Sequence, residues 1–235
     1  RVARDGAKAV IVPSPFMAAQ LPGTSPLENW TSAPGRAAAA TRPMATPLTV
    51  GFLGRLSQDK GVDVLARAVE LIDRRAPGSV RLLVGGEPRF VAEAQRQAVE
   101  AALAPIAALT ERPGWISRDD FFDRVDIAVF PSVWPEPFGL VAAEAMAARV
   151  PVIVSSAGAL PDVVGSNHPF VVPPGDPESL ARLIESMTTL PELVTRSVQD
   201  GYVRWTRTYS PQAGAARFRA LLDDLTLRGV GRTAR

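Results

Sequence analysis

The 235-residue chain has no cysteine, a single histidine, His168, and only two lysines, Lys8 and Lys60. Without cysteine there is no disulfide, no thiolate nucleophile and no cysteine-ligated metal. With one histidine, no histidine cluster can gather around a metal ion. Long apolar runs are missing too. Pro, Gly or charge interrupts each at strand length, well short of the roughly 20 residues a membrane-spanning helix needs. A net charge of +2 is too small to argue for a nucleic-acid partner, although the isoelectric point is about 9.5. There is no initiating methionine and no signal peptide. The opening Arg1-Val2-Ala3-Arg4 reads as the cut edge of something longer.

What is present suits a packed globular core: 46% hydrophobic and 21% charged residues, in a length that fits one large or two small domains. Ala7 to Val12 reads as a short strand closed by Pro13-Ser14-Pro15, and Pro22 to Pro47 as a linker or long loop. Leu48–Leu53, Val80–Val84, Asp126–Phe130, Val150–Val154 and Phe170–Val172 then read as apolar strands. Helical patterns cover Asp59–Arg75, Arg89–Ala104, Phe138–Arg149, Pro177–Met187 and most of Pro191–Leu227. Pro105 breaks or kinks one of these, Pro211 interrupts the last, and a short amphipathic turn surrounds Phe121-Phe122. Alternation of helices with strands that are apolar throughout predicts an α/β fold, a doubly wound, Rossmann-like parallel sheet covered on both faces. Ligands of such sheets bind beyond the carboxyl ends of the strands, here just after Leu53, Val84, Phe130 and Val154.

Two of those strand ends carry chemistry. After Leu53 the chain reads Gly54-Arg55-Leu56-Ser57-Gln58-Asp59-Lys60-Gly61. Gly54 permits a sharp turn, and Arg55 and Lys60 set two cations at a helix N-terminus, a natural diphosphate site. The same residues also suit a solvated loop with two ordinary surface charges. The third glycine of a dinucleotide-binding fingerprint is missing, which disfavours a nicotinamide dehydrogenase. After Phe130 comes Pro131-Ser132-Val133-Trp134-Pro135-Glu136-Pro137-Phe138-Gly139-Leu140, with Glu144 further along. Prolines pin Glu136 on both sides. Gly139 opens a helix whose first N–H groups can face an anion. Glu144 lies five residues beyond, about 7.5 Å by helical rise. A carboxylate, a phosphate-binding helix start and a deeper carboxylate match the order of sugar, diphosphate and ribose in a sugar nucleotide. Glu144 sits among alanines, where an unpaired buried carboxylate costs several kcal/mol. It has a partner, or its helix face is a ligand site.

The Glu136-x7-Glu144 pair with Phe138-Gly139-Leu140 at its centre resembles the donor motif of retaining glycosyltransferase family 4, of the GT-B fold. GRLSQDKG is similar to that family's diphosphate loop, and the likeness runs from about Leu48 to Val171-Val172-Pro173-Pro174-Gly175-Asp176. The resemblance implies that Arg55 and Lys60 hold the diphosphate and stabilise the departing nucleotide. It implies that Glu136 contacts the transferred sugar and Glu144 the ribose, with Gly54 and the N–H groups of Phe138, Gly139 and Leu140 completing the donor site. It further implies metal-independent transfer with retained anomeric configuration, no cofactor, and a UDP- or GDP-linked sugar as donor. Residues 1–21 are then a remnant of an N-terminal acceptor domain, 22–47 a linker, 48–195 the donor domain, and 196–235 helices packing back toward the missing domain.

Other residues are assigned no role. His168, in the loop Gly165–Pro169, reads as an exposed turn residue. Asp162 stands where relatives in that family more often carry Glu and reads as a cap of a short helix. Trp115 fits either the neighbourhood of the base or the core. Three other classes compete: a glycoside hydrolase, which leaves the diphosphate loop unexplained; a nucleotide-sugar epimerase, whose acid–base residues are not recognisable; and a binding module without turnover. The acceptor is open among glycan, lipid and small molecule. The expected location is cytoplasmic, with peripheral membrane association as a variant.

Overall fold

The computed structural model describes residue 7, residues 9–35 and residues 44–230. Residues 1–6 of the expected remnant, Lys8 of its strand, 36–43 of the expected linker and 231–235 lie outside the described residues. Two short strands, β1 (Ile11–Val12) and β2 (Ser25–Pro26), pair in parallel around helix α1 (Pro15–Gln20). They stand apart from the main sheet.

The main sheet holds β3 (Leu48–Leu53), β4 (Val80–Gly85), β5 (Thr110–Gly114), β6 (Ile127–Phe130), β7 (Val152–Ser155) and β8 (Val171–Val172). All pairs are parallel, in the order β5-β4-β3-β6-β7-β8. The expected doubly wound α/β sheet is what forms. Its chain order reverses between β3 and β6, so a crevice opens at their carboxyl ends.

Period-two alternation sorts the strand side chains between two cores. Val50, Phe52, Leu82, Val84, Ile127, Val129 and Ile153 face one side, where α2 (Val62–Arg75), α3 (Glu93–Leu103) and α7 (Pro177–Met187) pack. Leu83, Ala128, Phe130, Val152 and Val154 face the other, covered by α4 (Arg118–Arg124), α5 (Leu140–Ala147) and α6 (Leu160–Val164). The stripe Val62, Leu65, Val69 and Ile72 is the buried face of α2, as its spacing predicts. Arg75, in the last turn of α2, ties it to α7 through Glu178 and, at 2.9 Å, Glu185.

Several boundaries differ from the sequence reading. The helix expected from Asp59 is a 3-10 turn, Gln58–Lys60, and α2 begins only after Gly61, whose φ of 71° ends the turn. The helix expected over Arg89–Ala104 is α3, which starts at Glu93, and Pro105 opens a 3-10 segment, Ala104–Leu109, rather than simply ending a helix. Strand β5 went unforeseen because its residues, Thr-Glu-Arg-Pro-Gly, are polar. It is an edge strand, the one place where a sheet tolerates exposed charge and Pro113. The turn around Phe121-Phe122 is α4, with both rings fully buried. Beyond α8 (Pro191–Arg204) a π-helical turn, Trp205–Tyr209, precedes α9 (Pro211–Val230).

Of the two readings left open for Trp115 the core one is removed, the residue being 78% exposed, and two other side chains are placed differently from expectation. Asp162 caps nothing; it lies exposed in the first turn of α6, whose N-cap, Ala159, has no side-chain bond. His168 is half-buried rather than a free turn residue: its Nε2 lies 2.9 Å from the Val152 carbonyl and its ring meets Phe170 edge-on.

Gly51, in mid-β3, lies against Phe121 of α4 and Val125 just beyond that helix. A methyl group there would lie 2.3 Å from Val125 Cγ1 and 2.7 Å from Phe121 Cζ. Gly51→Ala is expected to destabilise the fold by about 1–3 kcal/mol through overpacking, read from the urea midpoint. Burial pushes the His168 pKa below its ordinary 6.5, with the Val152 carbonyl partly offsetting it. The folded state therefore resists the proton that the unfolded chain accepts. Stability contributed at neutral pH is expected to decline as pH falls below about 6.5. A His168→Asn variant should show less of that decline in unfolding measured from pH 7.5 to 5.

Candidate donor site

The loops after β3 and β6 are fastened to each other before any side chain is considered. The Asp59 carbonyl accepts from the backbone N–H groups of Val133, at 3.0 Å, and Trp134, at 3.2 Å. Gly61 is indispensable beside them, because a Cβ there would lie 2.0 Å from the Pro131 carbonyl oxygen. Gly54 at the end of β3 donates to the Gly85 carbonyl at 3.0 Å, so the turn starts from a fixed point.

Within this frame Glu136 is 8% exposed and bonded twice at one carboxylate oxygen. Its Oε1 accepts from Lys60 Nζ at 2.5 Å and from Ser132 Oγ at 2.6 Å. Its backbone is held as well: the carbonyl accepts from Ala159 N–H at 2.9 Å, and a bridge joins Glu136 to Gly158. Gly139, at φ 100°, is the N-cap of α5, so this helix begins two residues later than expected, with Gly139, Leu140 and Val141 lining the same space.

Gly54, Arg55, Lys60, Ser132, Glu136, Gly139 and Leu140 line one cavity of about 260 Å³. Arg55 is exposed and has no ion-pair partner among the described residues. Phe138 is not at the wall; it is buried behind the loop, edge-on to Tyr209 at 5.4 Å. A second cavity of about 710 Å³ adjoins the first at Leu53, Gly54 and Arg55, and runs to Glu87, Arg89, Phe90, Trp115 and Arg118. Phe90 is 99% exposed at φ 57°, a conformation rare for a bulky side chain.

Glu144 lines neither cavity. It is 7% exposed, and its Oε1 accepts from Arg118 Nη1 at 2.9 Å and Thr31 Oγ1 at 3.2 Å. Of the two explanations for a carboxylate among alanines, the partner is present. The residues that supply it, Arg118 and Thr31, were not picked out from sequence, nor was Phe90. A signal existed for Arg118: an arginine in the first turn of a helix opposes the helix dipole and needs an acid elsewhere. Thr31 gave none, because it lies in the segment expected to be linker. The described residues 27–35 of that segment form a loop bonded to the rest of the chain. Thr31 N–H donates to the Tyr209 carbonyl at 2.9 Å, Gly35 N–H donates to Asp119 Oδ1 at 3.0 Å, and Trp30 packs against Gly214.

Known proteins are similar to this chain in sequence and in fold. A family model described as glycosyl transferases group 1 matches residues 47–189. The D-inositol 3-phosphate glycosyltransferase of Streptomyces scabiei is 35% identical over 187 residues, covering 74% of this chain and 41% of that protein. Glycogen synthase of Mycobacterium tuberculosis is 30% identical over 184 residues, covering 75% and 42%. The chain thus spans about two fifths of the length of these curated relatives. Among solved structures, sucrose-phosphate synthase from Thermosynechococcus elongatus superposes with a TM-score of 0.77 at 25% identity, over 95% of this chain and 59% of that one. HepE of Anabaena, solved with UDP and glucose, gives 0.80 at 20% identity, over 94% and 64%, a likeness of fold.

The Lys60–Glu136 pair is half-screened on the lysine side and buried on the other. A double-mutant cycle with Lys60→Met and Glu136→Gln is expected to give a favourable coupling of about 0.5–3 kcal/mol in urea unfolding. A coupling near zero would mean that the pair is an incidental contact.

Proposed function

The chain belongs to the group 1 glycosyl transferases, and from that premise we propose that residues 48–195 bind a nucleoside-diphosphate sugar for transfer with retained anomeric configuration. The observation that carries this reading is the junction of the two cavities at Arg55. One is large and rimmed by the exposed aromatics Phe90 and Trp115, which suits a planar base. The other is small and holds Lys60, Glu136 and the start of α5, which suits a diphosphate and a sugar.

In this reading Arg55, Lys60 and the N–H groups at Gly139 and Leu140 take the diphosphate. Phe138 contributes only backbone. Two cations and a helix N-terminus are enough to carry the charge that develops on the leaving diphosphate without a metal ion. Lys60 already donates to Glu136, so the donor enters a site where cation and carboxylate are pre-positioned. Glu136 accepts from sugar hydroxyls, and Glu144 faces the ribose. The bond from the sugar's anomeric carbon to the diphosphate oxygen breaks, and the acceptor hydroxyl bonds to that carbon on the same face. Its proton passes to the departing phosphate oxygen. The acceptor would be held by a further domain. Among the described residues no helix is long and apolar enough to cross a membrane. A cytoplasmic site of action follows from where nucleotide sugars are made, and peripheral membrane contact would follow from a lipid acceptor.

Calorimetric titration with UDP, GDP and ADP is expected to show one of them binding without added metal. Lys60→Ala should weaken that binding by about 1.5–3 kcal/mol, the scale of a charged hydrogen bond. Trp115 should report the same event by a change in fluorescence that Trp115→Phe removes. Binding that demands a divalent ion would overturn the metal-independent reading. Binding without transfer, even with an acceptor domain supplied, would favour a binding module.

A further inference from the structure

Glu144 is built into more than a ribose contact requires. Arg118 Nη1 donates both to Glu144 Oε1 and, at 2.9 Å, to Thr31 Oγ1, while Thr31 Oγ1 donates to the same carboxylate oxygen. Guanidinium, hydroxyl and carboxylate close a triangle, and every described bond to the carboxylate falls on Oε1. We propose that Arg118, with Thr31, is a positioning residue for the donor: it fixes the Glu144 carboxylate so that Oε2 is presented to the ribose hydroxyls. This rests on the reading that Glu144 faces the ribose.

Three observations favour positioning over the alternatives. Arg118 does not earn its place by stabilising α4. A cation in a first helical turn is disfavoured by the dipole, and that turn already has Ser117 as N-cap together with Asp119 and Asp120. Nor does it fit a phosphate ligand well. Its Nη1 is committed to Glu144, Thr31 and the Ser32 carbonyl, and its Nη2 reaches Ser32 Oγ at 3.3 Å. Arg55, lining both cavities, carries no such commitments among the described residues. Finally, a carboxylate this buried needs a compensating cation whether or not ligand is bound, and the neutral hydroxyls of a ribose supply none. Arg118, which lines the large cavity while Glu144 lies behind it, provides that charge in advance.

The test reads ribose recognition apart from phosphate recognition. UDP, 2′,3′-dideoxy-UDP and inorganic pyrophosphate are titrated into the chain and into its Arg118→Ala, Arg118→Lys, Thr31→Val and Glu144→Ala variants, with the guanosine pair run in parallel. The unaltered chain should prefer the ribose form by about tenfold or more, the scale of one charge-assisted hydrogen bond. Glu144→Ala should abolish the preference. Arg118→Ala should bring it close to one while leaving pyrophosphate binding unchanged. Arg118→Lys should restore part of it, and Thr31→Val should reduce it. If Arg118→Ala weakens pyrophosphate and both nucleotides by a common factor, Arg118 is a phosphate ligand and the inference is wrong. It is equally wrong if Arg118→Ala keeps the preference while Glu144→Ala loses it. A preference that survives Glu144→Ala, or is absent from the unaltered chain, overturns the ribose reading itself. Should Arg118→Ala fail to fold, Thr31→Val decides, because it removes a hydroxyl from the same carboxylate oxygen.

Discussion

The backbone carbonyl of Asp59 is the fastening on which the site depends. It receives two N–H groups from the loop after β6 while belonging to the loop after β3. A parallel sheet whose order reverses at β3 and β6 leaves these two loops side by side with no helix between them. Left to themselves, both would expose backbone donors and acceptors to a half-buried crevice, which is costly. Shared hydrogen bonds remove that cost and set the spacing of Lys60 and Glu136. Gly61 lets the two chains approach this closely; with any side chain the loops would stand apart and the 2.5 Å contact of Lys60 with Glu136 would open.

The two carboxylates obey one rule. Glu136 receives a lysine and a serine hydroxyl on Oε1; Glu144 receives an arginine and a threonine hydroxyl on Oε1. Burying either acid without its cation would be strongly unfavourable, and even with it the desolvation cost offsets much of the attraction. Such clusters are poor devices for stability. What they provide is orientation, since a carboxylate bound twice at one oxygen has little freedom left at the other. A ligand rich in hydroxyl groups, as in the proposed function, would then meet acceptors whose direction is already set, and lose less freedom on binding.

How far the sequence disclosed this depended on whether a feature was local. Strand β3 and helix α7 appear at the expected residues because periodicity and flanking Gly, Pro and Asp are local signals. The loop Gly54–Gly61 was only half legible, since a glycine and two cations after a strand suit a diphosphate loop and a solvated one alike; the structure brings Gly54, Arg55 and Lys60 to one cavity with Glu136 and leaves Glu144 lining neither. Edge strand β5 was not legible, because a strand covered on neither side needs no apolar pattern. His168 was misread because its partner, the Val152 carbonyl, is sixteen residues away. Arg118 and Thr31 escaped for a stronger form of that reason: they lie 26 and 113 residues from the carboxylate they hold.

Thr31 shows why the segment before the sheet cannot be treated as a passive connection. Its N–H donates to the Tyr209 carbonyl, at the end of the π-helical turn, while its hydroxyl donates to Glu144. On either side of it, Glu28 meets Arg217 of α9 at 3.4 Å, and Ser32 meets Arg118. One residue therefore has its backbone fixed by the C-terminal helices and its side chain fixed by the buried carboxylate. A displacement of the Trp205–Tyr209 turn relative to Glu144 cannot leave both bonds at their present length. Either the segment moves and Glu144 loses its hydroxyl, or the segment stays and the Tyr209 carbonyl loses its donor. Since a carbonyl or carboxylate left without its partner is costly, the position of the Trp205–Tyr209 turn and the orientation of Glu144 are linked through a single residue.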